Sequence, residues 1–284
     1  LVYIIISFYF LKKNVSLEYE WIFIMKDFEK YGWVEYRLYG LYSAYMPPFY
    51  SYFLLISSKV FGDYWIRIAC LVQGLSILFS LLFFIRCFFR DNMERFGVIL
   101  LFCSILFFPP IMIGAYKISS FAFCLSLMLA FFSLLYRIYG SPDFKKNVLI
   151  FLLLICMIGL YIRYEFIFII AISIMVFYLN KKISAKRMVF LGMITLLIYL
   201  PWCLRNYYQI GKFTYSTSFN FNFAKGFNEK YDPYITFNNP YSPKLKKILT
   251  NKMLSEMFTS EKDMDEYLEK LNYDFVTENP EVFL

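Results

Sequence analysis

Apolar runs long enough to cross a lipid bilayer follow one another along most of this chain. An α-helix needs about 20 consecutive apolar residues to span the hydrocarbon core. Runs of about this length lie near residues 65–89, 97–116, 119–136, 147–162, 165–179 and 188–204. Hydrophobic residues make up 60% of the 284, well above the roughly 45–50% of soluble domains, so lipid must be the solvent for most of them. The sequence therefore predicts an all-α polytopic membrane protein.

The first apolar run, residues 1–10, is shorter than a span. The chain starts within this run and without an initiator Met, which fits a helix cut short better than an intact signal peptide. Counting this helix, we predict about seven spans. We likewise expect the chain to be a piece of a longer protein that continues beyond both of its ends.

Basic residues are concentrated in alternate loops between the apolar runs. Three short loops are rich in them: Arg86, Arg90 and Arg95; Arg137, Lys145 and Lys146; and Lys181, Lys182, Lys186 and Arg187. The only basic residues in the short connectors on the other face are Lys117 and Arg163. By the positive-inside rule the basic loops are cytoplasmic, and the long polar segments lie outside. We expect a transmembrane domain over 1–204, with an outer loop at 12–64, and an extracytoplasmic loop or start of a C-terminal part over 205–284.

The composition excludes several kinds of chemistry. The basic loops account for the net charge of +8, so no nucleic-acid partner is predicted. The chain has no His, which removes the Ser-His and Cys-His pairs and leaves proton transfer to Asp, Glu, Tyr or Lys. Its six Cys residues lie in or beside apolar runs without a CxxC motif, which favours neither a zinc site nor a disulfide framework. No P-loop or GxGxxG motif supports a soluble nucleotide donor.

The spans contain few ionisable residues away from their ends, whereas transporters usually carry polar groups at mid-depth. Any chemistry is therefore expected at the outer membrane surface. The first outer loop begins SLEYEWIFIMKDFEKYG. Its Trp21, Ile24 and Phe28 share one helical face, which is typical of an amphipathic helix lying along the membrane interface.

Glu18 and Glu20 stand at the start of this amphipathic helix. Residues two apart on a helix point in different directions, so at most one of the two carboxylates is expected in a site. A carboxylate beside lipid has a raised pKa, which suits a general base that takes a proton from a hydroxyl or an amine. The alternative, which spacing alone favours, is a solvated helix N-terminus stabilised by acidic charge.

Two Arg residues are expected at the depth of the outer headgroups. Arg163 lies in the turn YIRYEF between two spans, and Arg205 ends the last span in PWCLRNYYQIGK. The planar guanidinium suits a phosphate, and two such groups that converge would bind one anionic headgroup. The alternative for Arg163 is an ion pair with Glu165 at the interface.

The order of several motifs resembles the GT-C glycosyltransferases, the multispanning class that includes protein O-mannosyltransferases and the aminoarabinose transferase acting on lipid A. YEWIFIMKDFEKYGW and YMPPFYSYFLLISSKVFGDYWIRI are similar to the acid-bearing helix of this class, its PP-aromatic turn and its Phe-Gly ending. LYIRYEF is similar to its Arg-containing turn, and PWCLRNYYQIGKF to its PW-x-x-RN-x-x-x-x-GKF segment. NFAKGFNEKYDPY and MDEYLEKLNYDFVTENPEVFL resemble its later loop and amphipathic helix. The second segment predicts a helix around residues 263–279 that ends before Pro280.

The resemblance implies a helical bundle that transfers a sugar from a polyprenyl-phosphate carrier to an acceptor outside the cytoplasm, in a bacterial inner membrane. Glu20 matches the catalytic carboxylate, with Glu18 as second choice, and Arg163 and Arg205 match ligands of the donor phosphate. The implied substrate cavity contains Tyr45, Pro47, Pro48, Tyr50 and Lys117. The implied partners are a polyprenyl-phosphate-linked sugar and membrane lipid. No metal or other cofactor is assigned, although a divalent cation between a carboxylate and the phosphate is an open alternative.

The chain departs from the class at one position. Many members carry an acid in the short outer turn before the fourth span, where this chain has YKISSFAF with Ser119 and Ser120. Either another residue takes the role of this acid, or Lys117 changes the charge preference of the site, or the protein lacks full activity. Two alternatives to a transferase stay open: a flippase or other transporter of lipid-linked glycans, and a non-catalytic membrane assembly component.

Overall fold

The computed structural model describes residues 19–38, 40–88, 95–106, 108, 111, 114–115, 117–140, 146–180, 184–227, 257–278 and 280. Its helices are α1 (Tyr19–Tyr31), α2 (Phe49–Phe61), α3 (Trp65–Phe88), α4 (Arg95–Leu106), α5 (Phe121–Gly140), α6 (Lys146–Ile162), α7 (Phe166–Leu179), α8 (Ala185–Ile210), α9 (Ser218–Phe227) and α10 (Glu261–Glu278). The strands β1 (Arg37–Leu38) and β2 (Leu41–Tyr42) form an antiparallel hairpin, and the 3-10 turn Gly62–Tyr64 joins α2 to α3. Glu18 and the first apolar run lie outside the described residues.

The six apolar runs that follow the first each contain a helix. Helices α3, α5, α6, α7 and α8 coincide, within a few residues, with the runs predicted near 65–89, 119–136, 147–162, 165–179 and 188–204. Helix α4 covers the first half of the run at 97–116. The amphipathic segment of the first loop forms α1, and the helix expected around 263–279 is α10. The all-α fold class is therefore confirmed.

Three helical stretches are long and apolar enough to cross a membrane: Phe49–Phe88, Phe121–Tyr139 and Ala185–Ile210. The shorter stretches Ile150–Ile162 and Phe166–Leu179 are also apolar. Large apolar side chains cover the outer faces of these helices, among them Phe79, Phe151, Phe168 and Phe190, which are 61–63% exposed. Such faces need lipid as their solvent, and the chain is an integral membrane protein.

The chain forms two compact units. The first unit comprises residues 1–25 and 47–199, and the second comprises 26–46 and 200–284. Part of the first loop therefore packs in the same unit as the C-terminal segment. The second unit therefore combines two segments that lie more than 150 residues apart in the sequence, 26–46 and 200–284.

The first unit is a bundle of apolar helices. Helix α3 packs against α2, α4 and α5, while α6 packs against α2, α5 and α7. One buried cluster joins three of these helices through Phe131 of α5, Cys156 and Leu160 of α6, and Phe166 and Ile170 of α7. The hydroxyl oxygens of Ser76 and Ser126 lie 3.1 Å apart between α3 and α5. Small hydroxyl residues of this kind allow membrane helices to approach closely and bond across their interface.

A tight turn joins α6 to α7 and carries Arg163. The amide N–H of Arg163 donates to the carbonyl of Gly159 at 2.9 Å, and that of Phe166 donates to the carbonyl of Arg163 at 3.1 Å. The Phe166 ring lies directly over Gly159, where an added Cβ would come within 2.7 Å of the ring. Glycine alone leaves room for this approach, so residue 159 helps to determine the position of Arg163.

The second unit contains the hairpin together with α9 and α10, which pack against each other. Gly40, in the turn of the hairpin, has a φ of 81°, a conformation that residues with a Cβ rarely adopt. Its N–H donates to Oδ2 of Asp27 at 2.8 Å. This bond ties the hairpin to the second half of α1.

Candidate functional site

A buried chain of hydrogen bonds lies in the first unit at several of the predicted cavity residues. The Tyr50 hydroxyl donates to Oε1 of Gln73 at 2.6 Å. Nε2 of Gln73 donates to the carbonyl oxygens of Lys117 at 3.0 Å and Ala115 at 3.4 Å. Carbonyl oxygens only accept, so the amide nitrogen of Gln73 must face them. These hydrogen bonds link α2, α3 and the segment before α5. Both Tyr50 and Gln73 are fully buried.

The start of α1 lies against Tyr50. The rings of Trp21 and Tyr50 meet edge to face, with their centroids 4.6 Å apart. Trp21 is buried, and its indole N–H has no hydrogen-bond partner among the described residues. Glu20 precedes Trp21 as the second residue of α1, and its side chain lies outside what the structure describes. We call Trp21, Tyr50, Gln73 and Lys117 the Tyr50 network.

The other predicted cavity residues are also buried. Pro47 and Pro48 lead directly into α2, which begins at Phe49. Pro has a fixed φ and no N–H that would be left unpaired at a helix start, so the two residues make a rigid entry to α2. Tyr45 belongs to the second unit, where its ring packs edge to face on Phe221 with the centroids 5.0 Å apart.

Arg163 forms an ion pair with Glu165 in the turn between α6 and α7. Nη2 of Arg163 lies 2.8 Å from Oε1 of Glu165, and its Nε lies 3.3 Å from Oε2. Both side chains are about 40% exposed, so the pair contributes little to stability and opens at low cost. An exposed guanidinium fork can exchange a carboxylate for a phosphate, since both offer oxygens that accept parallel N–H bonds.

Arg205 binds backbone carbonyls within the second unit. Its Nη1 donates to the carbonyl of Ser43 at 2.6 Å, and its Nη2 donates to that of Tyr36 at 3.0 Å. Nη1 also donates to Oδ1 of Asn206 at 3.0 Å. The guanidinium carbon lies 4.8 Å from the centroid of the Trp202 ring, within the range of a cation–π interaction. Arg205 therefore joins the end of α8 to the hairpin region.

Glu261 is a buried carboxylate that no sequence pattern singled out. It is the first residue of α10 and is 1% exposed. Its Oε1 accepts from the N–H of Ala44 and from the hydroxyl of Thr217, both at 2.7 Å. In the sequence Glu261 looks like an ordinary acid in the first turn of a helix. Its partners lie 217 and 44 residues away, so no local signal reveals the contact.

Burial raises the pKa of Glu261 above its usual value of 4.5, although hydrogen bonds from Ser43, Thr217 and Ala44 oppose the shift. The folded protein therefore favours the protonated acid. The stability that this contributes is present at low pH and is lost as pH rises through the pKa of the folded state. We expect Glu261→Gln, which stays neutral and keeps the acceptor oxygen, to gain stability relative to wild type as pH rises above 4.5, the usual pKa of a Glu side chain.

Thermal unfolding in detergent across this pH range measures the effect. Glu261→Ala is the companion variant, and we expect it to be less stable than Glu261→Gln by about 1–3 kcal/mol at every pH, because the donors of Ala44 and Thr217 lose their acceptor. A difference between Glu261→Gln and wild type that does not change with pH would contradict the prediction.

The predicted site residues divide between the two units. Glu20, Pro47, Pro48, Tyr50, Lys117 and Arg163 belong to the first unit, and Tyr45 and Arg205 to the second. Within the first unit, the structure brings the start of α1, Tyr50 and the carbonyl of Lys117 together through the Tyr50 network. In the described part of the chain, no group of three or more His, Cys, Asp or Glu residues is arranged to hold a metal ion.

Two solved structures are similar to this one. ArnT from Cupriavidus metallidurans bound to undecaprenyl phosphate matches with a TM-score of 0.59 at 16% sequence identity. ArnT from the same organism in the apo state matches with a TM-score of 0.58 at 14% identity. Each match covers 75% of this chain and 41% of the ArnT chain. No protein-family model matches the chain, and no curated protein matches it at a significant level.

At this level of identity the likeness shows the fold. The chain has an ArnT-like arrangement of membrane helices, which supports the GT-C-like fold expected from the order of its motifs. It spans about two-fifths of the length of the ArnT chains. A shared fold does not assign a reaction or the roles of residues, which depend on the site itself.

Proposed function

We propose that this protein is a membrane glycosyltransferase that moves a sugar from a polyprenyl-phosphate carrier to an acceptor at the outer membrane surface. The Tyr50 network is the observation that supports this most, because it holds the start of α1, which carries Glu20, against buried and rigid elements. A general base needs such support to keep its geometry. The fold is similar to that of ArnT, which has been solved with undecaprenyl phosphate bound.

In the proposed reaction, Glu20 takes the proton of an acceptor hydroxyl or amine. The acceptor atom forms a bond to the anomeric carbon of the sugar, while the bond between that carbon and the phosphate oxygen of the carrier breaks. The electron pair leaves with the phosphate, which departs as an anion. A cation beside the phosphate lowers the barrier by stabilising the charge that develops there.

Arg163 is the stronger candidate for this cation. Its half-exposed pair with Glu165 can open or admit a phosphate at low cost. Arg205 donates to the carbonyls of Tyr36 and Ser43, and moving it to a phosphate would leave both carbonyls without this donor. We therefore propose Arg163 as the first ligand of the donor phosphate and Arg205 as the second choice.

The proposed location follows the distribution of charge. The loops rich in Lys and Arg face the cytoplasm of a bacterial inner membrane, and the long polar segments face outward. Polyprenyl carriers lie in the bilayer, so a site at the outer surface gives the phosphate and the sugar access to Glu20 and Arg163. The acceptor is a lipid, a glycan or a protein exposed on the same face.

A non-catalytic assembly role is the second candidate, and one observation favours it. Ser119 and Ser120 stand where many GT-C enzymes carry an acid, and both are buried. The Ser119 hydroxyl accepts the N–H of Phe121, the first residue of α5, at 3.2 Å. A side chain used in this way stabilises α5 and transfers no proton.

The test of the proposed function uses the full-length protein in liposomes with a panel of labelled polyprenyl-phosphate sugars and a membrane lipid extract as the source of acceptor. We expect at least one donor to release its polyprenyl phosphate and the labelled sugar to appear in the acceptor fraction. Liposomes without protein and liposomes with heat-unfolded protein are the controls. No release above the controls with any donor would reject the transferase and favour the assembly role.

A further inference from the structure

A polar groove lies in the second unit beside α9 and α10. Its volume is about 500 Å³, which is within the range of small-ligand sites. Its polar wall includes Lys212, Asn220, Asp265, Glu269 and Asn272. We call it the α10 groove, and it is separate from the Tyr50 network, which belongs to the first unit.

The charged groups of the α10 groove bind one another. Nζ of Lys212 bonds Oδ2 of Asp265 and lies 3.4 Å from Oε2 of Glu269. Oδ1 of Asp265 accepts from Nδ2 of Asn220 at 2.9 Å. The wall therefore sets one cation against two carboxylates, and this balance disfavours an anionic ligand.

Asn272 belongs to this wall and is buried. Its side chain is 7% exposed, and its Nδ2 donates to the carbonyl of Asn220 at 2.9 Å. A carbonyl only accepts, so the orientation of the amide follows and the remaining atom is Oδ1. Oδ1 has no hydrogen-bond partner in the described part of the chain. This oxygen is closed to solvent, so the contacts of a ligand fall to the more exposed groups of the groove.

Exposed aromatic rings flank these polar groups. Phe219 and Tyr273 both line the α10 groove and are 63% and 69% exposed. A flat apolar ring packs well against the C–H face of a sugar, while a few well-placed polar groups bind its hydroxyls. The groove thus combines both kinds of contact that a carbohydrate offers.

We propose that the α10 groove binds a neutral saccharide. Phe219 and Tyr273 pack against the ring faces, and the exposed carboxylate of Glu269 accepts from sugar hydroxyls. The role of this ligand as part of the acceptor rests on the proposed transferase function. The binding itself depends only on the groove.

The test measures binding of neutral disaccharides and trisaccharides to the full-length protein by saturation-transfer NMR, in a detergent without a sugar headgroup. A disaccharide that contains a uronate is the anionic comparison. We expect neutral sugars to bind wild type more tightly than the uronate. Phe219→Ala and Tyr273→Ala are each expected to weaken binding about tenfold, because an aromatic contact is lost.

Tyr208→Ala is the matched control, because Tyr208 is 82% exposed in the same unit and does not line the groove; we expect it to bind like wild type. Glu269→Ala is expected to weaken binding, because an exposed acceptor of the groove is lost, and thermal unfolding checks that it is folded. If it does not fold, the two aromatic variants still decide the question. Wild type that binds no sugar at millimolar concentrations, or Tyr273→Ala that binds as well as wild type, would overturn the proposal.

The two proposals can fail separately. Release of carrier phosphate by wild type without sugar binding in the groove would reject the saccharide site and leave the transferase in place. Binding that Tyr273→Ala weakens, in a protein that releases no carrier phosphate, would support the saccharide site and reject the transferase.

Discussion

Replacing Glu20 by Gln is expected to slow the release of carrier phosphate by about 100- to 10,000-fold, the usual contribution of a general base. Gln has almost the same size as Glu but cannot take a proton from the acceptor. Donor binding is expected to persist, because the proposed ligand of the carrier phosphate is Arg163 and not Glu20. A single-turnover assay with labelled donor measures the rate, and a binding titration with the same donor measures its affinity.

Two matched variants separate this role from a structural one. Glu29→Gln removes an exposed carboxylate from the same helix and is expected to leave the rate unchanged. Glu18→Gln tests the second-choice acid. If Glu20 only stabilises the start of α1, its replacement will change stability by about 0.3–1 kcal/mol and leave the rate intact. Loss of release in Glu18→Gln alone would move the base to Glu18.

Replacing Arg205 by Ala is expected to lower the free energy of unfolding by about 2–5 kcal/mol. The carbonyls of Tyr36 and Ser43 would lose their charged donor, and the cation–π contact with Trp202 would also be lost. Arg205→Lys is expected to recover part of the loss, because one ammonium cannot reproduce a fork that reaches two carbonyls. Unfolding in detergent, followed by Trp fluorescence, measures these changes.

The control for Arg205 is Arg187→Ala, at the exposed start of the same helix, which is expected to unfold like wild type. The same proteins are then titrated with the polyprenyl-phosphate donor. A variant Arg205→Ala that unfolds like wild type but no longer binds donor would contradict the structural role. Arg205 would then be the principal ligand of the donor phosphate, ahead of Arg163.

The helices were predictable because hydropathy and turn residues act locally. Helix α3 covers Trp65–Phe88, where the apolar run predicted 65–89, and α2 begins directly after Pro47 and Pro48. Helix α10 followed from its amphipathic pattern and the Pro after it. In each case the residues that decide the helix are the residues within it or next to it.

Part of the candidate site could also have been predicted. Tyr50 and Lys117 were expected in one cavity, whereas Gln73, which hydrogen-bonds to both, was not. A signal for Gln73 was present, because it is a polar side chain inside the apolar run of α3, where lipid would leave its amide without partners. Such a residue predicts a partner on another helix but does not identify it.

The ion pair between Arg163 and Glu165 was one of two predictions from the turn YIRYEF, and it is present in the structure. Both residues lie in one short turn, so the pair was within reach of the sequence. The close fit of Phe166 over Gly159, which shapes that turn, was not. Whether a glycine allows a close approach depends on which ring lies over it, and only the packing of α6 and α7 decides this.

The sequence by itself determined that this chain lies in a membrane and where its helices run, and it predicts which face carries the polar loops. These properties follow from the transfer of each segment into lipid, which is a sum over neighbouring residues. Only the tertiary structure decided that Arg205 binds the carbonyl of Ser43, 162 residues away, and that Glu261 binds the N–H of Ala44, 217 residues away. A hydrogen bond requires a donor and an acceptor at one distance and angle, and this geometry exists only after distant segments have packed together.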